Sequence, residues 1–419
     1  MKRCFIVFAA AALINLLGSD CFAQREIEFI PRITVSETYD DNIFRDPENE
    51  QSDYITSVSL PLTLNVLSEY TKLSINFTPS YNWYYEFSEN NAWRYFAGVS
   101  WDQRLTQSLR LQLSDTYVNS EDPIDDFTDL NADRTLRNKY WINRGRASFN
   151  YVFGPENLLQ AGYLRTDRQN TDPTYNDSQD QRPFLNLTYW FDVRNGIRLD
   201  YTYADVALSV DPDFTGHAPG IRYLRRFSPQ TIGYVGYIYT TRDFDEGEED
   251  YVVHNGYVGV DHAFSPEYTV SANGGYFIQI PDITDSTNGM SLAVDLTRRF
   301  ARGNITIGLS TGWDDDYLRG GDPNFQQYWG GFLNGRYQIL ESLSIYGGVS
   351  YRLSEEENGF RDDNLRANCG LTWTFMRWFS LSLDYQYINR DSDFDPDDFA
   401  VNRVMLTLRA SKPEKLEMK

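Results

Sequence analysis

His217, His254 and His262 are the only imidazoles in the chain, and His262 precedes Ser265 by three residues. A serine beside a histidine is the pairing that activates a hydroxyl for acyl transfer, here on a lipid. The spacing sets this pair next to a turn, and His254 has no serine and acid at a matching height. A lipid-modifying activity would be lost on His254→Ala or His262→Ala. Asp314-Asp315-Asp316 is a run of carboxylates in a loop, where acids are ordinarily solvated. No GxSxG, HExxH, P-loop or dinucleotide fingerprint occurs. These residues predict no enzyme, no cofactor and no metal site.

A second set of charges alternates with apolar residues. It comprises Arg94, Arg110, Arg146, Arg198, Arg222, Arg336, Arg352, Arg366 and Arg403, with Asp102, Asp200, Asp295 and Asp384. Such side chains line a pore wall that meets a polar or anionic solute, or form a cross-strand arginine–carboxylate ladder that stiffens the wall. Asp384 is expected to pair with Arg366 or Arg403 before it serves as a solute ligand. Acidic runs at Asp40, Asp41, Asp46, Glu48 and Glu50, and at Glu246, Glu248, Glu249 and Asp250, offer sites for divalent cations shared with lipopolysaccharide, or are solvated faces.

The elements that must position these charges are β-strands. In Phe379–Tyr387, FSLSLDYQY, apolar or aromatic side chains at Phe379, Leu381, Leu383, Tyr385 and Tyr387 alternate with Ser380, Ser382, Asp384 and Gln386. One face is greasy and carries rings at both ends, as on a strand that crosses a bilayer between two headgroup zones. The unit recurs about every 19 residues, as in Ile33–Tyr39, Val58–Val66, Leu73–Trp83, Ile197–Tyr203 and Val404–Leu408. Asn195-Gly196 is a hairpin signal, and Phe227-Ser228-Pro229 and Phe264-Ser265-Pro266 mark the same hairpin end twice. Nine tight turns and ten longer loops result. The prediction is a closed antiparallel transmembrane β-barrel of about 18–20 strands, with short periplasmic turns and longer acidic extracellular loops. At about 4.8 Å between strands and about 40° of tilt, such a barrel is roughly 40 Å across, too wide for one layer of side chains to fill.

Composition agrees. Aromatic residues are 16% of the 419, including 30 Tyr, while the net charge is -22. Many rings with low mean hydropathy suit a wall of which alternate residues face lipid. A soluble sandwich, solenoid or propeller would bury Val, Leu and Ile instead. After residue 24 no apolar run reaches about 18 residues, which excludes helical spans, and the acidity argues against nucleic acid. Residues 1–23 read as a cleaved signal peptide, with Lys2 and Arg3 before the apolar run Phe5–Leu17 and Ala23 at the boundary. Residues 24–410 form the barrel and 411–419 a charged tail. Only Cys369 lies beyond the cleavage point, so disulfides play no part.

The segment Ile33–Phe44, ITVSETYDDNIF, resembles the N-terminal signature of the putative beta-barrel porin 2 family. Tyr39, Asp40, Asp41, Asn42, Ile43 and Phe44 match the pattern, and Asp53-Tyr54-Ile55 resembles the segment that follows it. The resemblance implies a bacterial outer-membrane barrel, often tied to exopolysaccharide systems, and fixes no substrate. The expected function is therefore a porin-like channel or export component for a polar solute or exopolysaccharide. The alternative is a structural or surface-interaction barrel with an occluded lumen. Expected partners are outer-membrane lipid, lipopolysaccharide, and a polysaccharide or periplasmic export partner; oligomeric state is left open.

Overall fold

The computed structural model describes residues 26–122, 137–173, 175–245, 249–316, 324–356, 359–393 and 398–416. The signal-peptide expectation for residues 1–23, residues 123–136 within the long polar loop expected from Glu121 to about Lys139, and Glu246 and Glu248 lie outside the described residues.

The described chain is β1 (Glu26–Asp40), β2 (Asp53–Ser59), β3 (Leu62–Leu67), β4 (Thr71–Tyr84), β5 (Ala92–Arg104), β6 (Leu109–Ser120) and β7 (Tyr140–Phe153). There follow β8 (Asn157–Asn170), β9 (Ser178–Trp190), β10 (Asn195–Leu208), β11 (Phe214–Ser228), β12 (Thr231–Phe244), β13 (Tyr251–Ala263), β14 (Tyr268–Pro281) and β15 (Thr287–Phe300). The last are β16 (Gly303–Asp316), β17 (Asn324–Leu340), β18 (Leu343–Glu356), β19 (Arg361–Met376), β20 (Phe379–Ser392), β21 (Phe399–Ser411) and β22 (Glu414–Leu416). Every pairing is antiparallel between neighbours, and β1 pairs with β21 through Arg32–Asp40, which closes the sheet on itself.

Two pairs of these strands each occupy one stave. β2 and β3 both lie between β1 and β4, interrupted at Leu60-Pro61. Pro61 has no N–H to give to the ladder, but its carbonyl still accepts Arg32 N at 2.9 Å, so the stave bends without opening. The uninterrupted strand expected at Val58–Val66 is therefore broken. In the same way β22 continues β21 along β1 at Ile27–Phe29. The charged tail expected at 411–419 thus contributes Ser411 and Glu414–Leu416 to the wall. Twenty staves remain. They are joined by nine turns of two to four residues at one end and ten connections of four or more residues at the other.

The band facing outward is apolar. Ile221, Val235, Val258, Leu309, Leu383 and Leu406 are among its exposed residues. Rings flank it. At the short-turn end stand Phe227, Phe264 and Trp373. Toward the long-loop end six tyrosines repeat one device: Tyr163, Tyr201, Tyr237, Tyr276, Tyr351 and Tyr385 each send a hydroxyl to a polar residue on the next strand, respectively Gln181, His217, His254, Asn288, Asp363 and Asn402. A ring with an apolar body and a hydrogen-bonded tip is the side chain suited to the edge of a bilayer.

Candidate functional site

Curvature identifies the lumen. On a concave face, side chains two strands apart converge; on a convex face they diverge. The hydroxyl bonds of the outer tyrosines all run between adjacent strands. On the opposite face Arg222 of β11 reaches Tyr257 of β13, Arg352 of β18 reaches Asp314 of β16, and Tyr346 of β18 reaches Asp384 of β20. That face is the inner one. By strand alternation it carries all twelve charges proposed to line the pore: Arg94, Arg110, Arg146, Arg198, Asp200, Arg222, Asp295, Arg336, Arg352, Arg366, Asp384 and Arg403.

These charges are not equivalent. Arg110 pairs with Asp102 at 3.4 Å, Arg198 with Asp200 at 2.8 Å, Arg352 with Asp314 at 2.9 Å, and Arg403 with Asp40 at 2.6 Å. Arg94 pairs with Glu121 at 2.7 Å and with Asp122. The partner expected for Asp384 is different: it accepts the Tyr346 hydroxyl at 2.5 Å, across the intervening strand, and Arg403 goes to Asp40 instead. Barrel curvature brings residues two strands apart within reach, which adjacency in sequence does not foretell.

Arg146, Arg222 and Arg336 have no carboxylate at ion-pair distance among the described residues; each stands over a ring. Arg146 lies 5.0 Å from the Phe184 centroid and Arg336 6.0 Å from that of Tyr346. Arg222 lies 4.7 Å from Tyr234 and 5.4 Å from Tyr257, and its Nε and Nη2 donate to the Tyr257 hydroxyl at 3.1 and 3.0 Å. A guanidinium over a π face is stabilised by the ring quadrupole.

Each supporting ring lies over a glycine in register on the adjacent strand. Phe184 faces Gly162, Tyr257 faces Gly236, Tyr234 faces Gly259, and Tyr346 faces Gly370. A Cβ built on any of these four glycines would fall 2.3 to 2.4 Å from its nearest heavy atom, and in each a ring atom of the facing residue lies at 2.4 Å. The absent side chain is what lets the ring lie flat and leaves the lumen to the guanidinium. Sequence reading missed these rings because it assigned aromatic residues to lipid. The signal is an inner-face glycine opposite an inner-face ring, visible only once register is known.

The segment Tyr39–Phe44 sits at the long-loop end, where first and last staves meet. Asp40 is fully buried; Oδ2 accepts Arg403 Nε and Oδ1 accepts the Asn42 amide at 3.0 Å. The Asp41 carboxylate accepts both the amide and the side-chain N–H of Asn402 at 2.7 Å. Asn42 donates to Asp46 O at 2.9 Å and to Ala400 O at 3.3 Å. Ile43 packs with Ile55 and Tyr84, and Phe44 and Phe87 cover them. Asp53 accepts the amides of Tyr54, Tyr85, Glu86 and Phe87. Arg137 donates to Ile43 O at 3.1 Å and to Asp122 at 2.6 Å. The motif is a clasp for closure. Burial alone would raise the Asp122 carboxyl, but Arg94, Arg137 and Arg403 outweigh it and hold the group well below the usual carboxylate range.

Other side chains at this end form buried clusters, Val206 with Phe214, Tyr251 with Val253, Phe277 and Phe325, and Ile388 with Phe399 and Val401. The histidines lie elsewhere. His217 and His254 hold outer tyrosine hydroxyls at 2.8 and 2.6 Å, and His262 meets Thr231 Oγ1 at 2.8 Å and the Phe264 ring rather than Ser265.

Residues 326–412 match the family model described as Putative beta-barrel porin 2. The match covers the last staves and not the Ile33–Phe44 segment. No curated protein matches the chain. Among solved structures, the alcaligin outer-membrane receptor FauA of Bordetella pertussis is 13% identical, with TM-score 0.49, over 92% of this chain and 76% of that one. OccAB4 of Acinetobacter baumannii is 11% identical, with TM-score 0.42, over 93% and 99%. OccK2 (OpdF) of Pseudomonas aeruginosa is 11% identical, with TM-score 0.42, over 94% and 98%. A closed twenty-stave wall with an apolar outer band and a charged inner face is a porin-like outer-membrane β-barrel.

Proposed function

We propose that this barrel is a channel that carries a polar solute or an exopolysaccharide across the outer membrane, with its short turns in the periplasm and its longer loops outside, against lipopolysaccharide. The observation that carries the reading is the inner wall. Arginines stand on flat rings there, and glycines beneath the rings keep side-chain volume out of the lumen. A wall meant only to be stiff would pair every cation with a carboxylate, and Arg146, Arg222 and Arg336 are placed otherwise. Export after a cleaved signal peptide belongs to the same reading. His254 and His262 have no catalytic role in it.

Liposome swelling tests it. Vesicles holding the folded barrel should swell in small neutral sugars, at rates that fall with sugar size. Rates equal to those of protein-free vesicles would contradict an open channel. That result would favour the second reading, a surface-interaction barrel whose mouth is occluded. Its supporting observation is the set of buried apolar clusters at the long-loop end.

A further inference from the structure

We infer that Arg146, Arg222 and Arg336 are oxyanion-binding stations, and that the polymer they meet is a carboxylate-bearing polysaccharide. The inference rests on the channel reading and adds the substrate class. Its basis is a contrast within one wall. Arg198 and Arg352 spend N–H donors on Asp200 and Asp314. Among the described residues, Arg146 and Arg336 make no hydrogen bond that would occupy their donors, and both are exposed on the inner face. Arg222 gives Nε and Nη2 to the Tyr257 hydroxyl, a neutral acceptor, and has no carboxylate at ion-pair distance among the described residues.

A ring platform orients a guanidinium without neutralising it, and its planar fork matches a carboxylate through two parallel N–H···O bonds. Desolvating a cation in a protein wall costs free energy, and a carboxylate partner would have been the simplest relief. The three stations lie on β7, β11 and β17, so they are spread around the wall instead of converging in one pocket. Several separate weak sites suit a repeating chain that must enter and leave, since conduction needs binding that is favourable but not tight at any one place. The phenyl and phenol faces are covered by glycine on one side and guanidinium on the other, so recognition falls to the charge and not to sugar stacking.

The experiment is titration of the purified, folded barrel in detergent, followed calorimetrically, with a hexamer of a uronic acid, a neutral hexose hexamer and an inorganic polyphosphate of similar length. The uronate should bind at least about tenfold more tightly than the neutral hexamer. Replacing Arg146, Arg222 and Arg336 together by Gln should weaken uronate binding at least about tenfold, while Arg198→Gln, whose parent is already paired, should change it less than about twofold. Equal affinity for the neutral hexamer, or undiminished binding by the triple variant, overturns the inference. Tighter binding of polyphosphate than of uronate overturns the carboxylate assignment. The two readings fail separately. A barrel that binds uronate but never conducts refutes the channel and leaves the stations; one that conducts but does not bind refutes the stations and leaves the channel.

Discussion

Gly236 and Gly256 are paired through the same two strands, and alanine at each has opposite consequences. Gly236 faces the lumen, and a Cβ there would lie 2.4 Å from Tyr257 Cζ and 2.6 Å from its hydroxyl oxygen. Ordinary carbon contacts begin near 3.5 Å, so the ring must move off the wall by about 1 Å or more. Its hydroxyl already accepts Arg222 at 3.0 and 3.1 Å; a displacement of that size breaks both bonds and removes the platform. Overpacking of this kind costs about 1–3 kcal/mol. Gly256 is different, because nothing lies within 4 Å of its Cβ position. Alanine there relieves the entropic cost of glycine and should stabilise by about 0.5–1 kcal/mol. Urea unfolding of the two variants in lipid vesicles, followed by tryptophan fluorescence, separates them. Gly236→Ala should unfold at lower urea than the parent and Gly256→Ala at equal or higher urea. If Gly236→Ala is as stable as Gly256→Ala, rings do not lie on the glycines as described, and the wall is built otherwise.

The clasp supplies the remaining predictions. Arg403→Ala leaves the buried Asp40 carboxylate without its cation; loss of one partner of a buried pair should cost about 3–5 kcal/mol, read as a lower urea midpoint. Asp53→Ala strips the acceptor from four backbone amides and should cost on the order of 3 kcal/mol, with proteolysis newly appearing in the connection after β4. Because the Asp122 carboxyl is held below its ordinary value, its contribution is complete above an unfolded pKa of about 3.9 and is lost as pH falls from there toward the lower folded value. Unfolding midpoints of the parent should therefore drop more steeply below about pH 4 than those of Asp122→Asn; parallel curves would refute the ion-pair assignment.

Much of the architecture was legible without coordinates, because a period of two is a direct imprint of a strand with one face in lipid. FSLSLDYQY assigned Leu383 and Tyr385 outward and Asp384 inward, and β20 places them so. The counts of tight turns and longer loops were also legible, since Pro, Gly and Asn mark them. Three things were not. The Leu60-Pro61 break was hidden because flanking residues keep their alternation across it. The Tyr346–Asp384 bond depends on curvature, which a list of strands does not contain. The ring-over-glycine pairs depend on register: Phe184 lies 22 positions from Gly162 in sequence yet opposite it in the sheet. The histidines drew attention as candidate catalysts because they are few, and two of them serve as tips for outer tyrosines.

Single-channel recording across a planar bilayer, under a salt gradient and with protein first shown to be folded, tests the central claim most directly. An open, arginine-lined lumen predicts discrete conductance steps with a reversal potential on the anion side, shifted toward zero when Arg146, Arg222 and Arg336 are all replaced by Gln. Folded protein that inserts and gives no steps, or steps whose reversal potential is on the cation side, would contradict it.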